Sequence, residues 1–315
     1  MTVWDVVVVG AGACGLTVAR AVTEAGGSVL VIDKGSRPGG RLASRRIGEH
    51  VVDTAASSVR IVDPQVAACL ERWAGATFTN GTNTDGADGG GTVWHFDVPA
   101  NEVAARWAAG VERRNGFVTQ VTLNDDGGAS VVLNGAGGRH QARRVVMTAP
   151  APQSAGIFTQ SGLVPPDVLS GIHYDHALLV VAHLANAGDR PTTVDSPLIS
   201  GLRWGSVTDP AAPVVVARAH NHVAADTLGE DANLTHGRLL VEMARLLADV
   251  EIQTAELKRW RYAQPVSQGI EAGFCSVPGA EVVAIAGDGF GGPVGADGVE
   301  RAVHSGLAVA GWISN

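Results

Sequence analysis

The stretch VVVVGAGACG, Val6 to Gly15, constrains this chain more than any other. Four β-branched residues read as a buried strand, and a glycine-spaced turn follows at once. Residues 14–25 place Leu16, Ala19, Ala21 and Val22 along one side of a helix that stops at Gly26-Gly27. SVLVID, residues 28–33, then reads as a second strand. Strand, helix and strand within about 30 residues form a βαβ unit, the context in which G-x-G-x-x-G gains meaning. Gly10 allows the tight turn, Gly12 lets backbone approach a diphosphate, and Gly15 lets helix and strand pack closely. The helix that begins at Cys14 offers free N–H groups and its positive end to the phosphates. Asp33 ends the second strand, 18 residues after Gly15. A carboxylate there accepts hydrogen bonds from ribose hydroxyls and repels a 2′-phosphate, which disfavours NADP. Lys34 edges the same adenosine site. NAD and FAD both present adenosine diphosphate to such a turn, so this cluster leaves both open.

Two further clusters separate them. RPGGR, residues 37–41, sets Gly40 and its neighbour Gly39 just beyond the second strand, a second backbone surface for a diphosphate with Arg41 as counter-charge. Near the C-terminus AIAGDGFGG ends a strand in Gly287-Asp288-Gly289, and a helix around Val299 to Ala310 begins about ten residues later. An acid at a strand end binds a sugar-like hydroxyl, here the ribityl chain. A helix N-terminus stabilises the negative charge that builds at the N1 and O2 edge of a reduced flavin. NAD has no ribityl chain, so glycine turns at both ends of the chain fit an extended FAD better.

Composition narrows the classes. A formal net charge of −8 argues against nucleic acid or an anionic membrane surface as partner, since both need clustered Lys and Arg. Three cysteines (Cys14, Cys69, Cys275) show no zinc spacing, and no metal site is expected. No stretch approaches the roughly 18 uncharged apolar residues of a membrane span, and no signal peptide is visible, so a soluble, cytoplasmic protein is expected. The 41 glycines suit tight turns and close backbone approach to a ligand.

Elsewhere the pattern predicts a helix over Pro64 to Trp73, a glycine-rich loop over 81–91, a helix in ANEVAARWAAGV (residues 100–111), and a β-meander in FVTQVTL, SVVLN and ARRVVMTAP. HALLVVAHL and PVVVARAH read as strands, and Leu234 to Val250 as an amphipathic helix. The fold class is α/β: a Rossmann-like FAD-binding domain with an inserted α+β substrate domain of mainly antiparallel sheet. Expected boundaries are 1–60, 94–155 and 266–315 for the first, 61–93 and 156–265 for the second.

With these clusters in hand, the chain resembles the glutathione-reductase-like flavoproteins of the amine oxidase superfamily, and within it the renalase family. The resemblance spans nearly the whole length. It is carried by DKGSRPGGRLASRR, VTQVTLNDD, KRWRYAQPV and AGDGFGG followed by GVERAVHSGLAVA, and more loosely by LRWGSVTDPAAP. It implies non-covalent FAD held at Gly10, Gly12, Ala13, Gly15, Asp33, Lys34, Gly40, Arg41, Asp288, Gly289 and Val299, with the Val118 backbone passing the adenine. It also implies oxidation of misreduced 2- or 6-dihydronicotinamide dinucleotides by hydride transfer to the flavin, with oxygen as acceptor. Where the family shows Asp-His-Gly-Ala-Gln-Tyr, this chain has DTAASS, so Ser57 and Ser58 replace a polar and an aromatic wall residue. Candidate pocket residues are Tyr262 and Arg261 through the matched block. His220, beside Arg218 and His222, is a candidate for meeting an anionic substrate. Two other functions remain: a flavin amine oxidase or desaturase on a small amine or biosynthetic intermediate, and a non-catalytic nucleotide-binding sensor.

Overall fold

The computed structural model describes residues 2–75, 78–83, 91–188, 190–191, 193–248, 250–266, 272–293 and 295–314. The opening unit runs β1 (Val3–Val9), α1 (Ala13–Glu24), β2 (Val29–Asp33), with the two strands parallel. A hairpin of β3 (Ser44–Ile47) and β4 (His50–Asp53) follows, then β5 (Ser58–Ile61), α2 (Pro64–Ala74), β6 (Phe78–Asn83), β7 (Thr92–Phe96) and α3 (Ala100–Trp107). Asp63 caps α2 by accepting from the Gln65 N–H, and Pro64 sits in the first turn, where its missing donor costs nothing. Of the loop expected over 81–91, residues 81–83 extend β6 and residues 84–90 lie outside the described residues.

After β8 (Glu112–Asn115) comes the meander of β9 (Val118–Leu123), β10 (Ala129–Leu133) and β11 (Arg139–Met147), leading into α4 (Ala151–Gln160). A second unit contains β12 (Tyr174–Leu184), β13 (Ile199–Trp204), β14 (Val214–Ala219), α5 (Asn221–Asp226), α6 (Ala232–Leu247) and β15 (Ile252–Pro265). The chain returns through β16 (Phe274–Val277), β17 (Ala280–Ala286) and α7 (Gly298–Ser314).

The main sheet has the order β16-β17-β11-β1-β2-β8, with β10 and β9 continuing from β11. From β17 to β8 every pairing is parallel. Parallel strands end on the same edge, so Gly10, Asp33, Asn115, Thr148 and Gly287 all leave the sheet together, where open α/β sheets bind ligands. Both faces are covered, which is why Val6, Val7 and Val8 are all fully buried. Leu16, Val66, Trp107 and Val303 of α1, α2, α3 and α7 fill one side, and Val121, Val131, Phe158 and Phe290 fill the other. Each such side chain contributes about 1.5–3 kcal/mol by leaving water.

The second sheet, β13-β14-β12-β15, is wholly antiparallel. One face packs on α6 through Leu178, Val180, Leu239 and Met243; the other packs on the β3–β4 hairpin through Ile47, Val52, Leu179 and Trp260. The α2 helix and β7, in or next to the stretch 61–93, share their core with α1 and α7. No helix among the described residues is long and apolar enough to cross a membrane.

Candidate functional site

The first glycine turn is built by steric necessity. Gly10 has φ +115°, and a Cβ on Gly15 would lie 2.0 Å from the Gly10 carbonyl oxygen. Gly12 differs: it opens onto free space, and as N-cap of α1 it offers no side-chain cap to the first-turn N–H groups. The second turn lies directly on the first. The Gly39 N–H donates to the Ala11 carbonyl at 2.7 Å, and a Cβ on Gly40 (φ +56°) would sit 3.4 Å from the Gly12 Cα. Two segments joined by a single parallel bridge between Gly12 and Gly39 thus form one glycine-lined surface at the positive end of α1.

Asp33 ties these loops to the sheet edge. Its carboxylate accepts from the Ala11 N–H at 2.7 Å and the Gly35 N–H at 2.6 Å. A cleft beside it is lined by Ala11, Asp33, Gly35, Ser36, Arg113 and Arg114. Asn115 Nδ2 donates to the Asp33 and Lys34 carbonyls, and the Gly116 N–H to the Asp33 carbonyl. Lys34 is exposed at the rim, while Val118 is buried at the start of β9. Sequence reasoning missed Arg113, Arg114 and Asn115, because four consecutive exposed residues leave β8 without any apolar period.

Arg41 and Asp288, each expected to face a ligand alone, form a bidentate ion pair. Arg41 Nη1 donates to Oδ2 at 2.6 Å and Nη2 to Oδ1 at 2.8 Å; Nη1 also reaches the Ala263 carbonyl at 3.1 Å. Burial works against the Arg41 charge, but the Asp288 carboxylate outweighs it and raises the guanidinium pKa. The guanidinium stands 6.0 Å from the centroid of the Tyr174 ring, and Tyr174 meets Tyr262 edge to face at 5.6 Å. Burial, with Asp288 nearby, pushes the Tyr174 hydroxyl up to about 12, so it stays protonated. Gly289 is needed here because a Cβ would lie 2.6 Å from the Ile172 side chain.

The start of α7 departs from expectation. Asp297 caps it, accepting from the Val299 and Glu300 N–H groups at 2.8 and 3.0 Å, so these two donors are already engaged. Its other oxygen accepts from the Arg60 N–H, and burial raises its pKa. Glu300 is buried and accepts from the Val62 and Asp63 N–H groups. The run Asp297-Gly298-Val299-Glu300 carries the D-x-x-E signature of a helix start, which would have revealed this cap. Gly298 brings the first turn within 3.4 Å of Asp288 Oδ2, measured from a Cβ placed on it.

On the second unit's side, β15 slips register against β12 between Asp175 and Ala177, opposite Trp260 to Gln264. Arg261 and Tyr262, consecutive in β15, face opposite sides. Tyr262 turns onto Tyr174, whereas Arg261 is exposed and only its carbonyl is engaged, 2.5 Å from His176 Nδ1. Arg261 is therefore not grouped with Tyr262. His220 precedes α5, with Nε2 3.1 Å from the Ser196 carbonyl and its ring stacked on His222, so the loop before β13 engages it. Trp260 Nε1 donates to the Thr54 carbonyl at 2.7 Å and Arg203 to the Asp53 carbonyl, holding the DTAASS segment from the second unit. Asp53 is buried, accepts from Ser44 Oγ and the Ala100 N–H, and burial raises its pKa. Ser58 begins β5 opposite His95, and the Ser57 carbonyl accepts from the Phe96 N–H. Burial lifts the Cys14 thiol to about 12 and Cys275 to about 11, leaving both protonated near neutrality.

A family model described as an NAD(P)-binding Rossmann-like domain matches residues 8–73, the segment that holds both glycine turns of the N-terminal half. No curated protein matches the sequence. Among solved structures the chain is similar to a putrescine oxidase bound to putrescine, at 15% identity and TM-score 0.67, over 99% of each chain. It is also similar to a candidate protoporphyrinogen oxidase from Exiguobacterium sp. 255-15, at 12% identity and TM-score 0.69, again over 99% of each chain. The fold is the one these two proteins share: a Rossmann-like parallel-sheet unit joined to a unit built on an antiparallel sheet.

Proposed function

We propose that this chain is an FAD-dependent oxidase acting on a small reduced molecule, with oxygen as acceptor. The observation that carries the reading is the convergence of three glycine turns, around residues 10–15, 39–40 and 287–289, on one edge of the parallel sheet. A single dinucleotide turn serves NAD; the second turn stacked on it, and a third joined to it through Arg41 and Asp288, suit a longer ligand. The residues present fit FAD. The first turn of α1 has uncapped N–H groups and no acidic residue, and Gly12 leaves the approach open for a diphosphate. Gly10, Gly12, Ala13, Gly15 and Gly40 would hold that diphosphate. Asp33, Lys34 and Val118 would border the adenosine, and Arg41, Asp288, Gly289 and Val299 would border the ribityl and ring end.

When bound, FAD supplies the acceptor for hydride and its return to oxygen. The chain's own residues bind, orient and exclude water. Tyr174 and Tyr262 present a neutral aromatic corner, and Trp260 and Arg203 fix the backbone carbonyls of Thr54 and Asp53. The cofactor-bearing part would comprise 1–60, 94–155 and 266–315, with 61–93 and 156–265 shaping the substrate side. Protonated Cys14 and Cys275 support non-covalent binding.

For substrate, the match of KRWRYAQPV to the renalase pattern favours 2- or 6-dihydronicotinamide dinucleotides. The small Ser57-Ser58 pair and the likeness to a putrescine oxidase favour a second reading, a small amine. Purified protein should absorb near roughly 450 nm, the window of oxidised flavin, and bleach when mixed anaerobically with substrate. Stopped-flow mixing with the dihydro isomers and with a panel of diamines separates the two substrates. A yellow protein that no reductant of either class bleaches would be a sensor, and a colourless protein that FAD cannot reconstitute would end the flavin reading.

A further inference from the structure

Arg301 sits one turn into α7, and its guanidinium lacks the partners a structural arginine usually has. Its stem is fixed: a Cβ on Gly292 would lie 2.9 Å from the Arg301 Cγ, so the Phe290–Gly292 loop can cross it only as glycine. Nε lies 3.4 Å from the Phe290 carbonyl, at the long limit of a hydrogen bond. Nη2 is buried and finds no hydrogen-bond acceptor among the described residues. A guanidinium stays charged at any working pH and has no way to neutralise itself. Buried donors in native proteins nearly always meet an acceptor, and each exception calls for a physical explanation, a bound ion or a functional role among them.

The surroundings locate that ligand. Arg301 lies within electrostatic range of the Tyr174 hydroxyl, as do Arg41 and Asp288. The Tyr174 hydroxyl in turn lies 3.2 Å from a Cβ placed on Gly289, in the same loop that crosses Arg301. Arg41 cannot supply the free cation, because both of its Nη atoms are held by Asp288. We propose that Arg301 is the anion-binding residue of this site, its Nη2 donating to a negatively charged oxygen of the bound cofactor or substrate. The inference rests on the FAD reading for one of its two sources. The cofactor offers a diphosphate and a ring edge that gains negative charge on reduction; a dinucleotide substrate offers its own diphosphate.

The test uses the full chain and the variants R301Q, R301K and G292A. G292A keeps the arginine but forces its stem aside, displacing the guanidinium. Three constants are measured: FAD affinity by fluorescence, the two-electron midpoint potential against a reference dye, and NAD+ affinity by calorimetry, with diphosphate-free nicotinamide riboside as control. R301Q should lose at least about tenfold in one of them, which for the potential is about 30 mV. R301K should retain most of the wild-type value and G292A should follow R301Q. Loss in FAD affinity or potential assigns the acceptor to the cofactor; loss in NAD+ affinity alone, with the riboside unchanged, assigns it to the substrate. The proposal is overturned if R301Q and G292A stay within about twofold of wild type throughout, or if R301K is as impaired as R301Q. Should R301Q fail to fold, R301K and G292A decide by the same criteria. A wild-type chain that takes up no FAD defeats the flavin reading while calorimetry still tests Arg301; a yellow R301Q with wild-type constants defeats only the role of Arg301.

Discussion

Replacing Asp288 by asparagine removes one charge from the ion pair at the centre of the site while keeping the side chain's shape. The Asp288 side chain is 3% exposed and Arg41 is 32% exposed. Asparagine retains one acceptor but turns an N–H toward the guanidinium, so one of the bonds at 2.6 and 2.8 Å is lost and the other loses its ionic part. Removing one partner of a buried pair costs about 3–5 kcal/mol, because the surviving charge is left without compensation. Arg41 keeps some contact with water, which places D288N near the lower end, about 3 kcal/mol. For a chain of 315 residues the unfolding entropy of about 2.1 cal/mol/K per residue means that about 1 kcal/mol lowers the melting temperature by about 1.5 °C, so D288N should melt roughly 4–5 °C below wild type. Circular dichroism on the ligand-free protein, paired with urea unfolding, reads this directly. A double variant, Arg41→Met with Asp288→Leu, should recover a large part of the loss, since both buried charges are then gone. The reasoning is refuted if D288N melts within about 1 °C of wild type, or if the double variant is no more stable than the sum of the single losses allows.

Two further outcomes follow from the glycine turn and from α7. G12A introduces a methyl into open space at an allowed φ of −81°, so stability should change by no more than about 1 kcal/mol while FAD affinity falls roughly 10- to 100-fold. G15A drives a methyl against the Gly10 carbonyl and should cost more than about 3 kcal/mol; equal melting temperatures for the two variants would contradict this division of roles. Burial raises the pKa of Glu300, with its Oε2 lacking a hydrogen-bond partner in the described residues, so between its ordinary value of 4.5 and the raised one the native state binds more protons than the unfolded state. Its contribution to stability is therefore full at or below that ordinary value and is lost as pH rises through the window. E300Q keeps an acceptor for the Val62 and Asp63 N–H groups and should flatten the fall in urea-unfolding free energy as pH rises above the ordinary value of 4.5. An unchanged slope would show that Glu300 does not titrate there.

The elements that could be read from the sequence are those whose signal is local. The run from Val6 to Asp33 announces strand, turn, helix and strand because apolar spacing and three glycines are properties of neighbouring residues. The α6 helix and strands β12 and β14 are equally plain, since each buries a face along its whole length. By contrast β8 is four exposed residues that form a strand only because β2 offers a free edge, and it carries Arg113 and Arg114 into the cleft beside Asp33. The β15 register slip has no signature in KRWRYAQP, and the edge-to-face meeting of Tyr262 with Tyr174 depends on a partner strand far away in sequence.

The sequence alone therefore determined the glycine turn after β1, the acid that closes the second strand and the two later glycine clusters, because each depends on backbone freedom and charge within a few residues. Only the tertiary structure decided how they combine. Arg41 and Asp288 lie 247 residues apart, and they meet because parallel pairing from β2 to β17 delivers every strand's carboxyl end to one edge. The same packing left Asp297 closing the start of α7 and Arg301 Nη2 without an acceptor among the described residues. Long-range register, which no local pattern encodes, set which donors are already engaged and which remain for a ligand.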